Sequence, residues 1–208
     1  MDYRDDALLT APGSMLTPNL RLLRLLGRGG MGSVWLAEHL VLGSEVAVKL
    51  LSPELARDGE ALERFRHEAT AVAQLRSPHV VGIHDFGAGP DGVPFFVMER
   101  LVGEDLSQRL ERAGRLPIGI VTAILVQTCK ALARVHELGI VHRDLKPGNV
   151  FLTNVDGDLV VKLLDFGVAK TRSATTRLHE TSDQAVLGTP MYMSPEQILS
   201  PKNVGPAS

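Results

Sequence analysis

Eight consecutive residues, His142-Arg143-Asp144-Leu145-Lys146-Pro147-Gly148-Asn149, bring an acid, a base and a carboxamide close together. Asp144 could orient a reacting group or accept its proton. Lys146, two positions on, could neutralise an anion beside it. Asn149, five positions on, offers a neutral oxygen that suits a hard cation such as magnesium. Pro147 and Gly148 are poor helix formers, so the stretch reads as an ordered loop. A charged surface turn is the plain alternative. What separates the two is whether the rest of the chain supplies phosphate binding and a second metal ligand.

Three other places bear on that question. Gly27, Gly29 and Gly32 form a G-x-G-x-x-G pattern, but Ser33-Val34-Trp35-Leu36 then favours strand. A dinucleotide-binding turn would open a helix there. The pattern therefore reads as a hairpin tip whose backbone N–H groups could approach phosphates closely, with a plain glycine-rich hairpin as the alternative. Lys49 lies on an apolar strand, on the face opposite Val48 and Leu50. Glu68 lies three residues after Phe65 and four before Val72, on the apolar face of a helix. Two charges facing a core are costly unless paired, so Lys49 and Glu68 are expected to pair; the alternative is that both snorkel to solvent. Asp165 follows Val161-Lys162-Leu163-Leu164. If a hairpin connects Asn149 to Asp165, its two ends bring an amide oxygen and a carboxylate to one metal site.

These residues need elements to position them. Strands are expected at Arg21 to Leu26, Ser33 to His39, Glu45 to Leu50, Val80 to Asp85 and Phe95 to Glu99. A helix is expected over Glu60 to Leu75, where Leu62, Phe65, Ala69, Val72 and Leu75 recur at helical spacing. Helices follow near Leu106 to Arg112 and Ile118 to Leu138. Val150 to Thr153 and Leu159 to Leu164 read as a hairpin around Asn154-Val155-Asp156-Gly157-Asp158.

Composition excludes several classes. The chain has 208 residues, 44% hydrophobic and 22% charged, enough for one sizeable core or two small lobes. A net charge of -2 gives no reason to expect a nucleic-acid surface. Cys129 is the single cysteine, so no intramolecular disulfide forms and a cytoplasmic setting fits. Met1-Asp2-Tyr3-Arg4-Asp5-Asp6 is not followed by a long apolar stretch, so no secretory signal is expected. The apolar run Ile118 to Val126 falls short of the ~20 residues that span a bilayer, so no membrane segment is expected. The remaining histidines show no metal-ligand spacing with Cys129.

Taken in order, Leu26-Gly27-x-Gly29-x-x-Gly32-x-Val34, Val46-Ala47-Val48-Lys49, Glu68, His142-Arg143-Asp144-x-Lys146-Pro147-x-Asn149, Asp165-Phe166-Gly167 and Gly188-Thr189-Pro190-x-Tyr192-Met193-Ser194-Pro195-Glu196 resemble the eukaryotic-like serine/threonine protein kinases. Gly30-Met31-Gly32 resembles the bacterial branch. The resemblance implies an α+β, two-lobed fold: a flexible lead-in over 1–18, a strand-rich N-lobe with one main helix over 19–101, and a partial, mainly helical C-lobe over 102–208. It implies ATP-dependent phosphorylation of serine or threonine on protein substrates in signalling. The glycine loop, Leu26, Gly27, Arg28, Gly29, Gly30, Met31, Gly32, Ser33 and Val34, would cover the phosphates. Lys49 would contact the α- and β-phosphates and pair with Glu68. Asp144 would act as base, Lys146 would contact the γ-phosphate, and Asn149 and Asp165 would hold Mg2+ or Mn2+. Glu99 and Leu101 would offer backbone hydrogen bonds to adenine, with Met98 as gatekeeper and Asp105 near the ribose. Ala47, Val34 and Phe151 would sandwich the purine. His142 would support the loop by packing.

The resemblance also implies self-phosphorylation and a homodimer as partners to expect. Arg143, Lys170 and Arg172 could bind a phosphorylated residue among Thr171, Ser173, Thr175, Thr176, Thr181 and Ser182, with Thr181 and Ser182 favoured by their distance from Gly188. Ser194 stands where Ala is commoner. Family domains continue beyond the residue matching Glu196 with helices that brace the catalytic loop. A nucleotide-binding or scaffolding module without catalysis is the rival reading. A small-molecule phosphotransferase is disfavoured by Lys146 and by the segments ending at Pro190 and Glu196. The 208-residue chain made alone is expected to be marginally stable and poorly active, because the long helix near Ile118 exposes apolar surface. A radiolabelled ATP assay on a generic protein substrate, paired with light scattering, tests this: robust turnover by a monodisperse sample would contradict it.

Overall fold

The computed structural model describes residues 11–75, 77–165, 190–199 and 204–206, leaving out the side chains of Arg64, Glu68, Ala71 and Pro190. The chain divides into two compact units. One comprises Met1–Ala69 and Gly82–Leu101; the other comprises Thr70–Val81 and Val102–Ser208.

The first unit is built on an antiparallel sheet of six strands: β1 (Met15–Thr17), β2 (Leu20–Gly29), β3 (Gly32–His39), β4 (Ser44–Leu51), β5 (Ile83–Ala88) and β6 (Pro94–Glu99), in the order β1-β2-β3-β4-β6-β5. Alternation along these strands divides the sheet into two faces. Leu20, Leu22, Trp35, Ala37, Val46, Val48, Leu50, Phe95 and Val97 form a buried cluster on one of them. The other carries Val34 opposite Lys49, Lys49 opposite Phe96, and Ala47 opposite Met98. Lys49 is thus turned away from Val48 and Leu50, as alternation requires.

Between β4 and β5 lie a one-turn helix α1 (Pro53–Ala56) and the main helix α2 (Gly59–Ala73). Ser52 caps α1 through its hydroxyl, which accepts from Leu55 N at 3.3 Å. Asp58 Oδ1 accepts from Glu60 N and Ala61 N at 2.9 and 3.2 Å, which starts α2. Phe65 anchors α2 on the Lys49 face of the sheet. It is fully buried, with its ring centroid 4.9 Å from Phe96 and 5.9 Å from Phe86.

The second unit contains a three-stranded sheet, β7 (Gly103–Asp105), β8 (Val150–Val155) and β9 (Asp158–Leu163), with helices α3 (Leu106–Ala113), α4 (Ile118–Glu137) and α5 (Pro195–Leu199). Residues 79–81 run beside the end of β9: Val81 N donates to Leu163 O at 3.0 Å and Leu163 N to His79 O at 2.9 Å. Helix α4 buries Ile124, Thr128, Ala131 and Val135, a stripe of helical period. Its Gln127 completes the β9 edge: Nε2 donates to Leu159 O at 3.0 Å, and Oε1 accepts from Val161 N at 2.9 Å.

Three expectations are corrected. Residues 15–17, read as part of a flexible lead-in, form β1 against β2; three residues carry no detectable period, and the pairing is supplied by the neighbouring strand. The hairpin turn is tighter than five residues. Only Asp156 and Gly157 lie outside the strands, both with positive φ (53° and 94°), and Asn154 Oδ1 accepts from Gly157 N at 2.9 Å. This is the Asp-Gly turn that matches strand twist. Third, the apolar character of α4 does not stop at Val126. The helix has 20 residues and contains an 18-residue window with a mean hydropathy of 1.6, long and apolar enough by length and composition to cross a membrane. Its buried stripe and the Gln127 amide bonds tie one side of it to β9. Ile118, Leu125 and Val126 remain exposed, at 81%, 58% and 48%, as expected from the sequence.

Gly32 is required by geometry. Its φ is 142°, and a Cβ there would lie 1.9 Å from the Leu50 carbonyl oxygen on β4. At Gly27 and Gly29 a Cβ would meet nothing within 4 Å among the described residues. Gly32→Ala is therefore expected to destabilise the fold by more than about 1 kcal/mol, while Gly29→Ala leaves stability nearly unchanged. Thermal unfolding of the two variants checks this, and equal losses would contradict it.

Candidate active site

Each unit carries part of the set singled out by the sequence. In the first, β2 and β3 meet at the glycine turn with Gly27 opposite Val34, Arg28 opposite Ser33 and Gly29 opposite Gly32, so Gly30 and Met31 form the tip. Met31 O accepts from Ser52 N at 3.0 Å, which fixes the tip to the segment after β4. Leu26 is exposed on β2. Lys49 is 4% exposed, and its ammonium lies 5.6 Å from the centre of the Phe96 ring. Val34, Ala47, Lys49 and Met98 thus share one face of the sheet. The Glu68 side chain, the expected partner of Lys49, lies outside the described residues. Glu99 is tied to Gly82 twice: its N–H donates to Gly82 O at 2.9 Å, and its Oε1 accepts from Gly82 N at 2.7 Å. Leu101 closes the unit.

In the second unit the loop at 142–149 is held from several sides. Arg143 adopts a left-handed backbone, with φ of 59°. Across it Asp144 N donates to His142 O at 2.8 Å. A 3-10 turn over Pro147–Asn149 follows, with Asn149 N donating to Lys146 O at 2.9 Å. These turns fold the acid, the base and the amide onto one another. Asp144 Oδ2 lies 3.1 Å from Lys146 Nζ and accepts from Asn149 Nδ2 at 2.9 Å. The same Nδ2 donates to the Asp144 carbonyl at 2.8 Å. Asp144 and Asn149 are both buried. Both amide hydrogens of Asn149 are spent on Asp144, so any cation this side chain held would have to meet Oδ1.

The hairpin closes as its strand pattern implied. Val150 pairs with Leu163, and Leu164 N donates to Asn149 O at 2.9 Å. Asp165, the next residue, has a φ of 45°. Phe166, Gly167, Lys170, Arg172 and the candidate phosphorylation sites from Thr171 to Ser182 lie outside the described residues. Among the described residues no group of three or more His, Cys, Asp or Glu side chains could hold a metal alone. An amide oxygen and a carboxylate make a hard, incomplete donor set, of the kind that magnesium shares with phosphate oxygens.

Asp105 caps α3. Its Oδ1 accepts from Gln108 N at 3.0 Å, and its N–H donates to Gln108 Oε1 at 3.2 Å. Phe151 sits opposite Asp105 in the β7–β8 pairing. Two groups escaped the sequence reading. One is the short strand β7, which Gly103 allows to pass close over the Leu152 carbonyl. The other is Gln197, which reaches the loop from α5 with Nε2 donating to Arg143 O at 2.9 Å.

His142 is buried at 2% exposure and bridges two parts of the site. Nε2 lies 3.0 Å from Leu164 O, and Nδ1 lies 3.4 Å from Asp144 N. The neutral ring with its hydrogen on Nε2 satisfies both contacts. Burial holds its pKa below the ordinary imidazole value. The unfolded chain takes up this proton at a higher pH than the folded chain does, so stability falls as pH drops through about 6.5. An NMR titration is expected to keep His142 in the neutral Nε2–H form at pH 6.5; half-protonation at or above that pH would contradict this.

The protein kinase domain family matches residues 20–208. The chain is 41% identical over 187 residues to the serine/threonine-protein kinase PknA of Corynebacterium glutamicum, covering 88% of this chain and 39% of that one. It is 42% identical over 200 residues to the serine/threonine-protein kinase PknA of Mycobacterium tuberculosis, covering 94% and 45%. The chain thus spans less than half the length of these curated relatives. Among solved structures it resembles the kinase domain of Mycobacterium tuberculosis PknI, with a TM-score of 0.66 and 37% identity over 76% of this chain and 63% of that one. The sequence motifs, the α+β architecture and these likenesses agree: the chain belongs to the protein kinase domain family.

Proposed function

We propose that this domain transfers the γ-phosphoryl group of ATP to serine or threonine hydroxyls of protein substrates. The observation that carries this is the buried Asp144 carboxylate, with Oδ2 held by Lys146 at 3.1 Å and Asn149 at 2.9 Å. A carboxylate fixed in this way can orient a substrate hydroxyl and take its proton as the oxygen attacks phosphorus. The new bond joins that oxygen to the γ-phosphorus, the bond to the bridging oxygen breaks, and ADP leaves with the electron pair. The Lys146 ammonium beside Asp144 would offset charge on the transferring group.

Asn149 Oδ1 and the Asp165 carboxylate would hold a divalent cation, for which magnesium fits the oxygen donors. When bound, that cation would neutralise the polyphosphate charge. The glycine turn would supply backbone N–H groups to the phosphates, and Lys49 a cation. Packing among the described residues does not demand glycine at 27 or 29; close approach of a phosphate would. Val34 and Ala47 on the sheet face and Phe151 on β8 would flank the purine. Because Glu99 N–H is committed to Gly82, a bond from this residue to adenine would use its carbonyl. Asp105 would contribute to ribose binding only alongside its capping role. Lys146 favours peptide substrates of the serine/threonine type, and the domain's own hydroxyls are candidates for self-phosphorylation. An ATP-dependent enzyme draws on the cytoplasmic nucleotide pool, which is where this domain would work.

Calorimetric titration with ATP and magnesium tests the nucleotide site. Gly29→Val is expected to weaken binding at least about tenfold, equivalent to ~1.4 kcal/mol, while leaving thermal stability nearly unchanged. Undiminished binding by that variant would contradict the assignment. Phosphoamino-acid analysis of labelled product is expected to give phosphoserine or phosphothreonine, and phosphotyrosine alone would contradict it.

A further inference from the structure

Gln197 engages both ends of its side-chain amide. Ser194 precedes α5 as its N-cap, Pro195 takes the first helical position, and Gln197 the third. Gln197 N donates to Ser194 Oγ at 3.3 Å, and Ser194 N donates to Gln197 Oε1 at 3.0 Å. This is a reciprocal capping box, and it fixes the direction of the carboxamide. The remaining group, Nε2, donates to the Arg143 carbonyl at 2.9 Å.

The carbonyl it grips belongs to the peptide that leads into Asp144. Arg143 carries a φ of 59°, a conformation that non-glycine residues adopt only where the surroundings enforce it. The contacts already described hold Asp144 by its amide and its carboxylate. Gln197 holds the other end of the same peptide bond, from an element 54 residues away in sequence. Rotation of that peptide would break the Nε2 bond and swing the Asp144 side chain away from Lys146 and Asn149.

We propose that Gln197, aimed by its capping box with Ser194, is a positioning residue that fixes the Arg143–Asp144 peptide and so sets the aim of the catalytic carboxylate. The proposal rests on the phosphotransfer reading for its kinetic consequence only; the conformational consequence stands apart from it. It also gives Ser194 a role, since the alanine commoner at this position could not accept from Gln197 N. The segment before α5 is thereby coupled to the catalytic loop through one amide.

Gln197→Glu tests this. The carboxylate keeps the shape and can still accept from Ser194 N, but it has no hydrogen to give the Arg143 carbonyl. Amide hydrogen exchange by mass spectrometry is expected to rise at least about threefold in residues 142–146 and to stay at its original rate in β8 and β9. In kinetic assays kcat is expected to fall about tenfold or more with KM for ATP unchanged, because small misplacements of a catalytic group are costly. Gln197→Met, which removes both functions of the amide, is expected to show at least as large a change on each readout. Unchanged exchange in 142–146, or a rise spread equally over β8 and β9, would overturn the proposal. If the unsubstituted chain transfers no phosphate, the phosphotransfer reading fails, and the exchange data still decide the role of Gln197.

Discussion

A buried negative charge is the constraint on which this structure depends. Asp144 sits where water does not solvate it, so its carboxylate needs donors from the protein. Lys146 and Asn149 provide them from the same short turn, and a buried carboxylate left without such partners is strongly disfavoured. Satisfying Asp144 requires the tight turn at Pro147–Asn149 and the left-handed Arg143. The left-handed residue in turn needs its flanking groups held, by His142 on one side and by Gln197 on the other. A local electrostatic demand thus propagates into backbone conformation and then into contacts between distant elements.

The β8–β9 hairpin meets that demand from outside the loop. Its Asp-Gly turn sets the register, the register places Leu164 N on the Asn149 carbonyl, and Leu164 O receives the His142 ring. Asp165 follows directly. The Gln127 amide on α4 clips the hairpin's outer edge in place. In the first unit, strand alternation does comparable work. It separates an apolar cluster on one face from Val34, Ala47, Lys49 and Met98 on the other, and Phe65 brings α2 onto the Lys49 side. Gly32 lets β3 pass close over β4. Among the described residues Gly27 and Gly29 meet no such constraint.

Much of this was legible in the residues. Lys49 between Val48 and Leu50 gave its face by alternation, Phe65 and Val72 gave the helix, and the strand-like runs on either side of residues 154–158 gave the hairpin. The meeting of the two hairpin ends, Asn149 with Leu164, followed from the strand pattern alone. Other features were not legible for physical reasons. Strands β1 and β7 are three residues long, and their pairing is decided by neighbouring strands rather than by their own composition. The five-residue turn was over-read because Asn154 and Asp158 favour turns in isolation, yet the ladder absorbs them. Helix α4 looked apolar only to Val126, because Gln127 and Thr128 end the consecutive run, while the buried stripe continues at helical spacing through Ala131 and Val135. Gln197 was missed although Ser-Pro-Glu-Gln spells a capping box; its second bond, to Arg143, depends on tertiary placement that no local pattern encodes.

The chemistry attributed to the domain reduces to whether the Asp144 carboxylate does what its clamped geometry suits it to do. Single-turnover transfer, with protein in excess over γ-labelled ATP and a peptide carrying one serine or threonine, measures that step even when overall turnover is weak. Asp144→Asn keeps the size of the side chain and removes its capacity to accept a proton. The expected result is a loss of ~10²–10⁴-fold in the transfer rate with ATP affinity retained. Transfer at the original rate by Asp144→Asn would contradict the central role of this carboxylate.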